Sequence, residues 1–318
     1  MNKLLLALPV FFLFACGSNN TKDKTEKESK DYLLQENSIS KLVESNHQNI
    51  SDKSGDLKSF KSYINKLNDD SLNSIPYALD YIKTCIPADN IDRDSIFLLF
   101  NIKFYSITNK LTENLDKKYK SIIGQLYKDS STVELQNFRN NLGMCGIDIF
   151  SSEGMYYLDV IPNFFYENFK KRVSESVVEY LNIRKDELKQ GFSEDAGMLI
   201  SFDDLYKRVK RWENFIYKYP SSLYINEANS FYTTYLETLM TGMDNSRIFD
   251  FDSGALKPEI KALYETIIKD DLESPTNKII SSYYSFLARH NFKENDSISI
   301  FLKSKNLSTM LAVQPHTR

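Results

Sequence analysis

Residues 201–242 read SFDDLYKRVK RWENFIYKYP SSLYINEANS FYTTYLETLM TG, and this stretch decides the fold. Its first half predicts a helix over 202–218, because apolar residues recur every three or four positions: Leu205, Val209, Trp212, Phe215 and Ile216. Ser201 is a favoured N-cap, and Asp203 and Asp204 follow in the first turn, where the helix dipole favours anions. Pro220 ends this helix, a second helix is predicted over 222–240, and Gly242 ends that one.

A similar pattern returns 52 residues further along the chain. The aligned residues are Glu213 with Glu265, Ser222 with Ser274, and Ser230-Phe231-Tyr232 with Ser282-Tyr283-Tyr284. Stacked helical hairpins bury a shared core that no single hairpin buries alone, so the pattern predicts a structural repeat. The alternative is that any two amphipathic hairpins align at some offset.

The turn FIYKYPSS over 215–222, followed by Glu227, Ala228, Tyr232 and Leu236, resembles the helix–turn–helix of tetratricopeptide-like proteins of bacterial envelopes. The resemblance covers roughly 202–240 and, weakly, 260–290. It departs from that family in its spacing, 52 residues where the family has about 34, and it lacks the family's Trp/Leu/Gly/Tyr pattern. It implies stacked helices and a protein-binding role, although a fold alone does not establish a function.

The rest of the chain is also mostly helical in its periodicity, with helices predicted over 56–67, 71–86, 93–112, 116–128, 132–142 and 184–190. Alternation and a turn cluster at 151–154 predict a β-hairpin over 146–160. A further helix is predicted to begin at Pro162, with Phe165, Phe169, Val173 and Val177 along one face. The predicted fold is therefore mainly α, made of tetratricopeptide-like or α-solenoid-like stacked hairpins, with one small β-hairpin near 147–160.

The N-terminus has the pattern of an export signal. Lys3 precedes an apolar run over 4–14 that is too short to span a bilayer, and Leu13-Phe14-Ala15-Cys16 resembles the bacterial lipobox. The resemblance implies a signal peptide over 1–15, diacylglycerol and acyl chains on Cys16, and a flexible tether over 16–31. Gly17 after the cysteine favours the outer membrane. The alternative is an ordinary secretory signal with a chance cysteine.

Composition bounds the remaining chain. We expect an N-terminal helical region over 32–143, a C-terminal hairpin region over 146–305 and a polar tail over 306–318. A net charge of −3 argues against a nucleic-acid partner, which requires a basic face. The richness in Asn, Lys, Tyr and Phe is similar to that of helical lipoproteins of Bacteroidota.

The sequence contains few candidates for chemistry. Cys85 and Cys145 form either a disulfide, which export permits, or two buried apolar side chains. The three histidines, His47, His290 and His316, share no motif. Asp250 and Asp252 have the spacing of calcium ligands, but Ala255 and Lys261 stand where an EF-hand needs Gly and Glu. We therefore assign no catalytic, cofactor-binding or metal-binding residue and expect no cofactor.

Three surface features are open to two interpretations each. Four basic residues of the helix over 202–218 either bind an acidic partner or, as we favour, form a solvated helix face: Lys207, Arg208, Lys210 and Arg211. Residues 194–200 line a groove or, as we favour, form a connector that packs Met198 and Leu199 into the core. Most aromatic residues are expected in the core, with Tyr157, Tyr166, Tyr217 and Tyr224 as candidates for an exposed recognition surface.

Three classes of function compete. The leading hypothesis is a lipid-anchored, non-catalytic protein-interaction module of the envelope, which predicts an exposed concave apolar patch. The second is a lipoprotein that binds glycans or peptides for a transporter, which predicts a pocket lined with Tyr residues or Trp212. The third is a carboxylate-dependent hydrolase, which predicts two acids across a cleft, one with a raised pKa.

Overall fold

The computed structural model describes residues 55–128, 132–152 and 154–307 of the 318-residue chain. The predicted signal peptide over 1–15, Cys16 and the tether over 16–31 lie outside the described residues, as do His47 and positions 308–318 of the tail.

The N-terminal region consists of helices followed by a β-hairpin. Its elements are α1 (Leu57–Lys66), α2 (Ser74–Cys85), α3 (Arg93–Glu113), α4 (Leu115–Lys118), α5 (Lys120–Tyr127), α6 (Val133–Met144), β1 (Ile147–Ser152) and β2 (Met155–Val160). Side-chain caps begin two of these helices: Asp56 accepts from the Ser59 amide at 2.8 Å, and Thr132 accepts from the Leu135 amide at 3.2 Å. These bounds confirm the predicted helices, except that Tyr119 divides the one over 116–128 into α4 and α5.

The C-terminal region alternates helices with very short antiparallel ribbons. Its elements are α7 (Phe164–Phe169), α8 (Glu175–Gln190), β3 (Ser193–Glu194), β4 (Gly197–Met198), α9 (Phe202–Lys218), α10 (Ile225–Thr241), β5 (Gly242–Met243), β6 (Ser246–Arg247), α11 (Pro258–Asp270), α12 (Pro275–Arg289) and α13 (Ser297–Ser304). The chain is thus mainly helical, with small two-stranded sheets.

The hairpin of α9 and α10 forms as its sequence predicts. The Ser201 hydroxyl accepts from the Asp204 amide at 3.1 Å, and Gly242 ends α10 with a positive φ of 71°. The apolar stripe of α9 is buried, with Leu205, Val209 and Trp212 fully shielded from solvent.

A second helical hairpin, α11 and α12, forms where the sequence predicts one. Both helices begin with proline at their first position, and the Ser274 hydroxyl caps α12. Two buried tyrosines join the hairpins: the Tyr264 hydroxyl donates to the Leu239 carbonyl at 2.7 Å, and the Tyr283 hydroxyl donates to the Met240 carbonyl at 2.9 Å. Both carbonyls lie in the last turn of α10, where they lack helical partners, so the second hairpin satisfies the end of the first.

The single helix predicted from Pro162 through Val177 is wrong. The chain leaves α7 after Phe169 and begins α8 at Glu175. Between them Arg172 donates to the carbonyls of Ile82 and Ile86 at 3.2 and 3.1 Å, and the Ser174 amide donates to Asp94 at 2.7 Å. These contacts with α2 and α3 stabilise the break between α7 and α8. The apolar residues on either side of the break remain buried, so the sequence periodicity continues through it and does not indicate where the helix ends. The helix predicted near 184–190 is the second half of α8.

The β-hairpin is confirmed, with Ile147 opposite Val160 and Ser152 opposite Met155. Sequence reasoning missed the two ribbons. In the first ribbon β3 pairs with β4, and in the second ribbon β5 pairs with β6. Each ribbon has only two residues per strand, too few for an alternation of apolar and polar residues to be recognised in the sequence.

Buried side chains of both regions belong to one continuous hydrophobic core. Phe97 of α3, for example, packs against Phe165 and Phe169 of α7 and Tyr224 before α10, with ring centroids 4.7 to 6.0 Å apart. Within the described ranges, no helix combines the length and apolarity needed to cross a bilayer.

Candidate binding cleft

A cleft of about 310 Å³ lies between the β1–β2 hairpin and the segment that joins α8 to α9. Its lining is largely apolar and aromatic: Phe150, Ser151, Ser152, Tyr157, Asp159, Val160, Pro162, Leu188, Gly191, Phe192, Ser193, Glu194 and Leu199. An apolar cleft with few polar groups is the usual form of a binding site.

One wall is the outward face of the β-hairpin. Side chains alternate along a strand, so Leu158 and Val160 of β2 point into the core while Tyr157 and Asp159 face the cleft. Phe150 stands directly opposite Tyr157, and their rings stack with centroids 5.9 Å apart. Tyr157 keeps 37% of its surface exposed. The pair forms an aromatic platform that the solvent reaches.

The other wall is the turn out of α8 and the first ribbon. Gly191 has φ 72° and ψ 175°, a conformation that is essentially restricted to glycine, and a Cβ there would lie 2.9 Å from Leu199 Cδ1. Leu199 is 55% exposed and lines the cleft together with Glu194. The favoured interpretation of 194–200, a connector that packs Met198 and Leu199 into the core, is therefore wrong for Leu199, whereas Met198 does pack against the core. Glu194 and Leu199 line the cleft, as the groove interpretation expected.

The second ribbon holds the first ribbon in place. The backbone N–H of Asn245 donates to the Ala196 carbonyl at 2.9 Å, and its side-chain amide donates to the Asp195 carbonyl. The Met198 amide donates to the Ser246 hydroxyl at 2.8 Å. Asp195 and Ala196 have φ of 46° and 54°, so the two-residue turn adopts a left-handed conformation that these contacts stabilise.

Beneath the cleft, a buried polar network joins α8, α9 and α10. The Glu187 carboxylate accepts from Trp212 Nε1 at 2.7 Å, from Arg184 at 2.8 Å and from the Tyr235 hydroxyl at 3.1 Å. Arg208, also buried, donates to the Gln190 side chain at 2.8 Å and to the Gly191 carbonyl. These hydrogen bonds rigidify their surroundings, so the network positions the turn at Gly191 and the ring of Phe192 beside it.

The four tyrosines considered as candidates for an exposed recognition surface differ in their exposure in the structure. Tyr157 and Tyr217 are exposed, the latter by 89%, and Tyr166 is half-buried. Tyr224 is only 1% exposed, so its candidacy for a recognition surface is wrong. It stacks on Tyr180 with centroids 4.1 Å apart, and burial raises the pKa of both hydroxyls. Trp212 lies wholly in the core and is not among the residues that line the cleft.

Two carboxyl groups face the cleft. Burial raises the pKa of Asp159, against the lowering effects of the Val160 amide and the Arg184 charge. Glu194 is exposed on the opposite wall. Burial, followed by the charges of Asp159 and Glu194, raises the pKa of the Tyr157 hydroxyl, which therefore remains a neutral donor at neutral pH.

The basic residues of α9 are paired within the domain. Lys207 binds Asp204 at 2.8 Å, Lys210 binds Glu213 at 2.6 Å and Arg211 binds Asp186 at 2.9 Å. Arg208 is part of the buried network. These contacts account for the four cations without an external acidic partner.

The other residues considered for chemistry form no site. Asp250 accepts from the Ser253 amide and hydroxyl at 2.8 and 2.7 Å, as a turn-forming residue does. His290 Nδ1 lies 2.9 Å from the Phe286 carbonyl at the end of α12. No disulfide joins Cys85 to Cys145 in the structure, and Cys145 is buried. No group of three or more metal-ligating side chains occurs in the part of the chain that is described.

A second concavity, of about 320 Å³, lies on α11 and α12. Its lining is mostly polar and contains no aromatic residue: Ile268, Leu272, Asn277, Lys278, Ser281, Ser282 and Ser285. It lacks the aromatic platform and the paired walls of the cleft. We compared the chain with known proteins, and no family model, curated protein or solved structure matches it.

Proposed function

We propose that this chain is a lipid-anchored protein of the bacterial envelope that acts as a non-catalytic interaction module. Its helical domain binds an extended peptide segment of a partner protein in the cleft between the β-hairpin and the first ribbon. The single observation that carries the proposal is the pairing of an aromatic platform, in which half-buried Phe150 stacks on exposed Tyr157, with the exposed Leu199 across the cleft.

Two properties of the cleft support a peptide as the occupant. The exposed apolar side chains offer anchors of the kind that dominate binding energies at protein interfaces. The scaffold behind them, made of the buried network and the second ribbon, is already ordered in the free chain, which lowers the entropic cost of binding.

The anchor is supported by the lipobox-like sequence at 13–16 and is tested by metabolic labelling with radioactive palmitate. We expect label on the wild-type protein and none on Cys16→Ser. Equal labelling of the two proteins would overturn the anchor while leaving the cleft untouched, because Cys16 lies far in sequence from the residues that line it.

Site-specific photo-crosslinking in native cells tests the cleft. A photoreactive phenylalanine analogue replaces Leu199 in one strain and Tyr217, a more exposed control on α9, in another. We expect one defined adduct from position 199, with the crosslink mapping to an extended segment of the partner. Introducing Phe150→Ala with Tyr157→Ala is expected to abolish this adduct.

The outcome that would contradict the proposal is specific. Adducts of identical pattern from positions 199 and 217, or an adduct at 199 that survives loss of the aromatic platform, would show that the cleft does not select its occupant. Phe251→Ala provides the matched substitution control, because Phe251 is exposed and does not line the cleft.

A second candidate, a carboxylate-dependent hydrolase, is favoured by one observation: Asp159, whose pKa burial raises, shares the cleft with Glu194. Two carboxyl groups across a cleft, one with a raised pKa, are the arrangement used in acid–base hydrolysis. A panel of chromogenic glycosides and peptides tests it. This candidate requires turnover that Asp159→Asn eliminates, and turnover unchanged in that variant would refute it.

A further inference from the structure

The charges of the cleft are of one sign. Apart from the neutral Tyr157 hydroxyl, its ionisable lining residues are Asp159 and Glu194. No lysine, arginine or histidine belongs to the described lining residues. An occupant with an opposite charge would therefore meet complementary groups on both walls.

The β-hairpin adds a third carboxylate to the same face. Asp148 stands directly opposite Asp159, and directly opposed residues of an antiparallel pair point to the same side. Each accepts from the next amide of its own strand at 2.7 Å, Asp148 from Ile149 and Asp159 from Val160. Like charges in this relation destabilise a hairpin, and among the described residues neither has a Lys or Arg ion-pair partner.

Among the described residues, the one cation that acts electrostatically on the pKa of Asp159, Arg184, is already paired with another carboxylate. Arg184 lowers the pKa of Asp159 electrostatically, but its guanidinium binds Glu187 at 2.8 Å and lies 4.2 Å from the centroid of the Phe231 ring. It belongs to the buried network rather than to the cleft lining. The negative charge at the mouth of the cleft is therefore left for a ligand to balance.

We propose that the segment bound in the cleft carries a lysine or arginine next to its apolar side chains, with the cation between the hairpin aspartates and Glu194. This inference rests on the proposed function and names the chemistry of its partner. In an extended peptide, residues i and i+2 point to the same side about 7 Å apart, so one apolar and one basic residue at that spacing reach the platform and the carboxylates together.

Fluorescence anisotropy with the purified domain tests the charge preference. The probes are three short fluorescein-labelled peptides in which leucine alternates on one face with Lys, Gln or Glu. We expect the Lys peptide to bind about tenfold more tightly than the Gln peptide, equivalent to about 1.4 kcal/mol, and the Glu peptide more weakly than either. Added salt is expected to narrow this difference.

Two double variants identify where that preference arises. Asp159→Asn with Glu194→Gln is expected to remove the advantage of Lys over Gln, whereas Glu259→Gln, an exposed acid of α11, leaves it intact. Tyr157→Ala with Leu199→Ala keeps the charge and is expected to weaken all peptides. Lys-peptide binding that persists in the second variant would be non-specific attraction and would overturn the inference.

The remaining outcomes separate the two proposals. Peptides that bind equally well whatever their charge, yet lose affinity in Tyr157→Ala with Leu199→Ala, would refute the cationic occupant and retain a peptide-binding cleft. The absence of binding by all three peptides, with the variants folded by circular dichroism, would overturn both.

Discussion

Glu213 of α9 is one of the side chains that join the two hairpins of the C-terminal region, and its neutralisation should destabilise the domain. Glu213 accepts from Lys210 at 2.6 Å, from the Ser274 hydroxyl at 2.7 Å and from the Thr276 amide at 2.9 Å. The Thr276 hydroxyl donates to it as well. Ser274 and Thr276 lie at the start of α12, so Glu213 supplements the cap of the second hairpin from within the first.

Glu213→Gln keeps the shape but removes the charge and turns one acceptor oxygen into a donor. The carboxylate is only 12% exposed, so donors that lose it are not fully resolvated. Hydrogen bonds to charged groups contribute about 1.5–3 kcal/mol each, and breaking one partner of a buried pair costs about 3–5 kcal/mol. We expect a loss of about 3 kcal/mol, which corresponds to a fall in Tm of about 6–12 °C for a domain of this size.

The assay is urea and thermal unfolding of the purified domain, followed by circular dichroism at several pH values. Burial raises the pKa of Glu213, but hydrogen bonds from Lys210, Thr276 and Ser274 outweigh it, so the folded pKa is lowered. Its stabilisation is therefore complete above the ordinary glutamate pKa of about 4.3 and is lost as the pH falls through the lower folded value. The difference between wild type and Glu213→Gln should shrink across that acidic range.

The repeat supplies a matched control in Glu265, which occupies the equivalent position in the second hairpin. Glu265 accepts one hydrogen bond, from the Tyr284 hydroxyl at 2.6 Å, where Glu213 accepts from three residues. Glu265→Gln is expected to cost less than about 1 kcal/mol. Equal destabilisation by the two substitutions, or a pH-independent effect of Glu213→Gln, would refute the assignment of Glu213 as the link between the hairpins.

Three further predictions concern the turn at Gly191, the buried network and the two thiols. Gly191→Ala should destabilise the domain by about 1–3 kcal/mol in urea unfolding, because its backbone conformation is strained for alanine and the new Cβ would lie 2.9 Å from Leu199. Gly124→Ala is the control: nothing lies within 4 Å of its added Cβ, so it should stabilise its helix by about 0.5–1 kcal/mol. A change of the same sign in both variants would contradict this prediction. Trp212→Phe removes the indole donor 2.7 Å from Glu187 and should cost about 2–4 kcal/mol by the same measurement, and a loss below 1 kcal/mol would show that the buried network does little. Thiol titration of the denatured, unreduced domain from residue 55 onward should give two reactive groups, Cys85 and Cys145, and a value near zero would show that they are bridged.

Sequence reasoning succeeded where local signals and packing agree. The Ser201 cap, the α9 stripe and Gly242 all favour the same hairpin, and the structure has it within a few residues of the expected bounds. The pattern of two hairpins was visible because polar and apolar residues recur 52 positions apart, although the contacts between the two hairpins were not. Glu213 meets Ser274 across 61 positions of sequence, and helix periodicity carries no information about such a contact.

The cleft was beyond prediction for the same physical reason. Its walls come from 150–162 and 188–199, and only folding brings them together. The ribbon that shapes one wall has two residues per strand and depends on Asn245 and Ser246 of the second ribbon. Tyr224 shows the converse: it lies outside any helical stripe, yet stacking on Tyr180 buries it.

Hydrogen–deuterium exchange of the domain, with and without the Leu/Lys peptide, tests the central claim most directly. If the cleft binds an extended segment, protection on binding is confined to backbone amides within 148–160 and 188–199, and it disappears in Tyr157→Ala with Leu199→Ala. Protection that falls on α11 and α12 around Ile268 and Ser285, or that spares both walls of the cleft, would contradict it.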